Sequence, residues 1–147
     1  MRRRTLLALL VAAPLLLSFG CKDDASRAID PVWGKQPCEH CRMIVDDRRS
    51  AAQLVTARGD RLYFDDLGCM IAFLADAGQG GDVRAWARDP AGDGWIDAKT
   101  ARYSGGQKTP MDFGFTASAG GELDFEAMAQ RVRARLVKGA ASAGVAP

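Results

Sequence analysis

The stretch Ala51-Ala-Gln-Leu-Val-Thr-Ala-Arg-Gly-Asp-Arg-Leu-Tyr-Phe-Asp-Asp-Leu-Gly-Cys-Met-Ile-Ala-Phe-Leu-Ala-Asp76 changes its apolar period part-way, and that change decides the fold class. Ala51–Ala57 and Arg61–Phe64 are strand-like runs on either side of Arg58-Gly-Asp60, a glycine-containing turn, so they predict a β-hairpin. After Asp65-Asp66 the apolar residues Leu67, Met70, Ile71 and Leu74 recur at helical spacing. The two aspartates are placed to cap that helix and to set negative charge in its first turn, and Gly78-Gln-Gly-Gly81 is placed to stop it. Beyond it, Val83-Arg-Ala-Trp-Ala-Arg88 alternates apolar and charged residues, the period of a half-buried strand. The order is β-β-α-β.

Further along, Gly94-Trp-Ile-Asp-Ala98, Ala101-Arg-Tyr-Ser104 and Met111-Asp-Phe-Gly-Phe115 precede a helical stripe of Phe125, Met128, Ala129, Val132 and Leu136 within Leu123–Val137. This repeats the element order of the first half without its residue identities. The expected fold is α+β, with two small ββαβ-like halves, each a short antiparallel sheet with one helix. They span 38–90, which holds the metal motif, and 91–138. A small-residue tail, 139–147, is expected to be disordered.

Toward the N-terminus, Lys22 to Pro37 is polar, holds two prolines and shows no apolar period, so 21–37 reads as a flexible tether. Met1-Arg-Arg-Arg-Thr5 followed by the apolar run Leu6–Leu17 has the form of a secretory signal over 1–20, too short to span a bilayer stably. Leu17-Ser18-Phe19-Gly20-Cys21 then sets a small residue before a cysteine, as in a bacterial lipobox, which makes Cys21 the expected lipidation site. Here Ser18 stands where a leucine is usual.

The chain has 147 residues with a formal charge of +2. Loss of 1–20 removes Arg2, Arg3 and Arg4 from 20 basic residues and none of the 18 acidic ones, leaving 17 against 18 and a net charge of −1. The basic excess belongs to the signal, and no nucleic-acid footprint survives. With Cys21 acylated, Cys38, Cys41 and Cys69 remain. An odd number of cysteines in an exported protein leaves a thiol that calls for metal ligation or redox chemistry.

The densest group of soft donors is Cys38-Glu39-His40-Cys41-Arg42-Met43. Thiolate and thioether together select Cu(I), whereas Zn(II) is content with thiolate and imidazole and seldom takes methionine. Met43 therefore points to copper, although beside Ile44 and Val45 it also suits the start of a buried strand. A zinc site could be drawn from Cys38, Cys41, His40 and Cys69 if the first helix packs over the loop. A thiol–disulfide oxidoreductase using Cys38 and Cys41 is the alternative of another class, but Met43-Ile-Val-Asp-Asp-Arg-Arg is a poor helix start, so the usual device for activating a thiol is missing. A structural disulfide is a third reading. Cys69 and Met70 lie on a helix face that must be buried, which suits core residues as well as it suits Cys69 as a ligand. His40, the only histidine, suits an exposed loop residue or an accessory ligand. Gly105-Gly106 lacks the context of a phosphate loop and reads as a turn. With no motif for acid–base, Ser-His-Asp or nucleotide chemistry, a non-enzymatic binding module is expected.

These motifs resemble the NosL-type copper lipoproteins that accompany nitrous oxide reductase. The likeness rests on His40-Cys41-Arg42-Met43-Ile44 and on Tyr63-Phe64-Asp65-Asp66-Leu67-Gly68-Cys69-Met70, with support from Gly94–Ala98, Ala101–Tyr103 and Thr109–Phe115. It covers roughly 38–137. The resemblance implies a Cu(I)-binding metallochaperone, lipid-anchored and facing the periplasm, that supplies copper for the copper–sulfide centre of nitrous oxide reductase through that enzyme's membrane maturation complex. It carries the metal role to Cys41, Met43 and Met111, with Cys38 and His40 as further candidates. Cys38 departs from the family's pattern, leaving open a two-thiolate site or a disulfide that must be reduced before copper enters.

Overall fold

The computed structural model describes residues 25–76, 78, 82–89, 91–92 and 94–142; the expected signal over 1–20 and the expected lipidation site Cys21 lie outside them, as does 143–147 of the expected tail. The chain is α+β. β1 (Ala52–Val55), β2 (Arg61–Phe64), β3 (Arg84–Arg88) and β4 (Trp95–Asp97) form an antiparallel sheet in the order β2-β1-β3-β4. β5 (Tyr103–Ser104) and β6 (Thr116–Ala117) form a second, two-stranded sheet. The helices are α1 (Leu67–Asp76) and α2 (Phe125–Ser142), packed against each other. Among the described residues no helix is long and apolar enough to cross a membrane.

The hairpin forms as its sequence predicts. Val55 pairs with Arg61, the turn closes through Thr56 N to Asp60 O, and Gly59 adopts φ +92°, a conformation costly for any residue with a Cβ. α1 is capped by Asp66, whose Oδ1 accepts from the Gly68 N–H at 2.8 Å and whose carbonyl accepts from the Cys69 N–H. Gly78 lies beyond the helix in the left-handed region, as a helix stop does. Leu67, Met70 and Ile71 join Leu54, Phe64 and Ala87 in the core, together with Met128, Ala129 and Val132 from α2.

The structure differs from the sequence reading in several places. β4, expected to open the second half, pairs Ile96 with Ala87 and so closes the first sheet, leaving the second sheet only β5 and β6. Met111–Phe115, given no element type by its sequence, forms a turn and loop, with the left-handed Asp112 and Gly114 breaking any extended run. α2 starts at Phe125, capped by Asp124 Oδ1 on the Ala127 N–H, and continues through Gly139 to Ser142, so part of the expected tail is helical.

The described part of the expected tether is also fastened down. The Ile29 N–H donates to Gln53 Oε1, Pro31 is buried, and Pro37 bridges Ile44. Asp30 accepts from Trp95 Nε1 at 2.6 Å and meets Arg88 Nη1 at 3.4 Å. Trp33 stacks on Trp95 at 6.3 Å, and the Arg88 guanidinium lies 5.3 and 5.1 Å from their ring centroids. Arg88 is only 1% exposed, so the alternation that marks it as solvent-facing instead marks the sheet face covered by 29–33.

Candidate metal centre

Cys38 and Cys41 lie on a tight loop held by two backbone bonds, Cys38 N–H to Met43 O at 2.7 Å and Arg42 N–H to Cys38 O at 3.0 Å. Closing it puts Arg42 at φ +67°, a strained position for a residue with a side chain and one common at functional sites. The Met43 amide acts to lower the Cys41 thiol, and the Cys41 and Asp65 amides to lower that of Cys38. Backbone donors beside a sulfur favour its thiolate, and at Cys38 they act together with Cys69. Glu39 N–H donates to Tyr63 O, fastening the loop to β2.

The end of β2 and the first turn of α1 complete the site. The ligand atoms of Cys38, Cys41, Asp65 and Cys69 all lie within 4.8 Å of one another. All three cysteines are free thiols; Cys38 and Cys69 are fully buried, and Cys41 is partly exposed. Cys41 Sγ donates to Asp65 Oδ1 at 3.4 Å. Asp65 is 1% exposed, and its Oδ2 is buried without a hydrogen-bond partner. Leaving a carboxylate oxygen so costs ~1–3 kcal/mol or more, and a cation among the sulfurs would satisfy it.

The protons of the cluster are unevenly held. A hydrogen bond from Cys69 keeps the Cys38 thiol far below the usual range, at about 4, assisted by the backbone donors. Cys69, as donor beside that thiolate, is driven upward. Burial pushes Cys41 up to about 11 and Asp65 up to about 6. Near neutral pH the cluster therefore holds one thiolate, one carboxylate and two S–H groups. Four donors converging from two chain segments, three of them sulfur, can hold one soft or borderline metal ion.

Of the residues singled out by sequence, Cys38, Cys41 and Cys69 are brought together. His40 stands outside the cluster, its Nδ1 facing Asp76 Oδ2 at 3.8 Å beside the far end of α1. The zinc set that included His40 is therefore not the one assembled. Met43 and Met111 are 49% and 38% exposed. Both belong to segments that border the site, Met43 through its bonds within the cysteine loop and Met111 through its N–H on Asp66 Oδ2 at 3.1 Å. Asp65 was missed because it reads as half of a capping pair. One aspartate suffices for the cap, and Asp66 supplies it, so the second acid before a buried helix was the available signal.

No protein-family model matches this chain, and no curated protein matches it either.

Proposed function

We propose that the chain captures a single Cu(I) ion in the three-thiol cluster and passes it to a copper enzyme, acting as a metallochaperone. The observation that carries this reading is the convergence of Cys38, Cys41 and Cys69, which gives a soft monovalent ion the two or three sulfur ligands it prefers. Partial exposure of Cys41 lets a recipient's ligand reach the ion, so transfer proceeds by ligand exchange at that edge. Met43 and Met111, exposed on bordering segments, offer thioethers to an ion on its way in or out. The likeness of the two cysteine blocks to NosL-type lipoproteins supports copper as the cargo, nitrous oxide reductase with its maturation complex as the recipient, and a lipid anchor at Cys21 that holds the domain at the periplasmic face of a membrane.

Asp65 favours a second reading, Zn(II) held tetrahedrally by three sulfurs and one oxygen, since a hard carboxylate adds little to a Cu(I) shell. The oxidoreductase alternative is disfavoured by the order of exposure. An exchange thiol must be accessible and ionised, yet the accessible Cys41 is the one whose thiol is raised, while the ionised Cys38 is buried.

X-ray absorption on protein loaded under reducing conditions, together with competition between Cu(I) and Zn(II), tests the proposal. One copper per chain in a short, all-sulfur shell that Zn(II) does not displace is the expected result. A shell of nitrogen and oxygen would overturn copper capture by the thiols, and displacement by Zn(II) into an S3O shell would establish the second reading.

A further inference from the structure

A separate face, formed by α2 and the β5–β6 hairpin, carries a basic groove that the metal chemistry does not use. Its largest part, about 510 Å³, lies between Gly105-Gly106 and the helix face bearing Arg131, Arg135 and Lys138. It shares Gly105, Glu122 and Arg131 with an adjoining cavity of about 380 Å³, and that one shares Ser104 and Gln107 with a third of about 290 Å³, which reaches Lys108. The groove thus runs across the hairpin.

Its charge is concentrated against the chain's overall balance. With the signal removed the protein is nearly neutral, yet α2 carries Arg131, Arg133, Arg135 and Lys138 against the single acid Glu126, which pairs with Arg133 on Nη1 at 3.0 Å. Among the described residues, Arg131, Arg135, Lys138 and Lys108 have no carboxylate within ion-pair distance. Arg135 is held in place all the same. Its Nη1 donates to the Asp112 and Phe113 carbonyls, and its guanidinium lies 5.3 Å over the Phe115 ring. Gly114, at φ +74°, makes room for it, since a Cβ there would come within 3.3 Å of Nη1. Neutral carbonyls and a ring face fix the cation without cancelling its charge.

From these observations we infer that the groove docks an extended acidic segment of a partner protein. Residues 131, 135 and 138 follow one helix face over ~10 Å, so their charges form a row and do not converge on one point. A row matches carboxylates spaced along a peptide better than a single phosphate. Stacking of nucleic-acid bases has no platform here, because Phe115 is 2% exposed beneath Arg135. The occupant touches none of the thiol ligands, so this inference stands apart from the copper reading.

The test is fluorescence anisotropy with a labelled glutamate-rich decapeptide, using the folded chain in low and moderate salt. Saturable, salt-sensitive binding is expected, weakened at least ~10-fold by Arg131→Glu with Lys138→Glu. Charge reversal at the exposed Arg58 and Arg84 serves as control and should change it less than ~2-fold, with thermal melts of both variants matching the parent. Equal weakening by the two double variants would show diffuse attraction and overturn a docking groove, as would the lack of saturable binding. Vesicles of phosphatidylcholine with phosphatidylserine complete the experiment: if the α2 reversal abolishes vesicle binding while the peptide never binds, the face reads lipid and the acidic-segment proposal fails.

Discussion

The Cys41 thiol donates to Asp65 Oδ1 across 3.4 Å, joining the cysteine loop to the end of β2 with a proton at the centre of the donor cluster. Any metal that enters must displace that proton. Asp65 meanwhile keeps Oδ2 buried without a donor, so the metal-free protein carries a penalty that metal binding would remove. The site is held open at some expense in stability, which is how a binding site differs from a core.

Asp65→Asn measures that penalty. A carboxyl raised from its ordinary value to about 6 binds its proton more tightly in the folded state, so its effect is absent below the unfolded value and grows as pH rises through 6. Two units correspond to ~3 kcal/mol at most at pH 7.5. Metal-free Asp65→Asn should therefore be ~1–3 kcal/mol more stable than the parent at pH 7.5 and nearly equal to it at pH 3.5, as read by urea denaturation under reducing conditions. The same variant separates the metals. Affinity for Zn(II) should fall sharply, whereas a Cu(I) shell made of sulfur should barely respond. Equal stability at both pH values would show that Asp65 is not strained in the empty site.

Metal uptake should release ~2 protons per ion near pH 7.5. Cys41, at about 11, and Cys69, raised beside the Cys38 thiolate, both enter the reaction as S–H, while Cys38 and Asp65 are already ionised. Ligands must be deprotonated to bind, so affinity rises with pH, by ~100-fold per unit while both thiols remain protonated in the free protein. Titration in weak buffer with a pH indicator counts the protons directly. Release of none would mean that the sulfurs are not the ligands.

Much of the fold was legible because its signals were local. The hairpin around Gly59, the helix begun by Asp66 and the apolar stripe of α2 each follow from periodicity and capping within about a dozen residues. What escaped depended on contacts distant in sequence. Trp95 to Asp97 joins the first sheet because Ile96 finds Ala87. Asp30 and Trp33 are ordered because Arg88 and Trp95 receive them, 58 and 62 residues further along the chain. At the site, the cysteine loop announced itself by density of sulfur. Cys69 was equally compatible with a core, since a helix face that packs inward and a ligand that points inward have the same spacing. Asp65 was hidden by its neighbour, for adjacency to a true cap gives a second aspartate an ordinary explanation.

Alkylation should distinguish a metal site from a redox site. Cys41 is accessible but mostly protonated, whereas Cys38 is ionised but buried. Native metal-free protein should react slowly with iodoacetamide at pH 7, first at Cys41, with a rate that climbs ~10-fold per pH unit until about 11. Cys38 and Cys69 should react only once the fold opens, and bound metal should protect all three. Peptide mapping by mass spectrometry assigns the order. A thiol that reacts fully and fast at pH 6 would favour the oxidoreductase.

Gly68 supplies the last expectation, because it opposes two effects of known size. Replacing a helical glycine by alanine ordinarily stabilises a helix by ~1 kcal/mol. Here a Cβ would fall 1.9 Å from Phe113 Cγ and 2.4 Å from its Cβ, the stiff root of the side chain, so the ring cannot simply swing away. Phe113 belongs to the loop that Met111 N–H ties to Asp66 and that Arg135 holds from α2, so yielding means moving a segment fastened at both ends. Overpacking of this kind costs ~1–3 kcal/mol or more and exceeds the helical gain. Gly68→Ala should therefore lower stability by ~1–2 kcal/mol at least, against the propensity rule, and should weaken metal binding because Cys69 is the next residue on the displaced turn. Thermal denaturation with and without metal reads both effects. A more stable Gly68→Ala protein with unchanged affinity would show that the loop over α1 is free to move, and that Cys69 is not positioned by it.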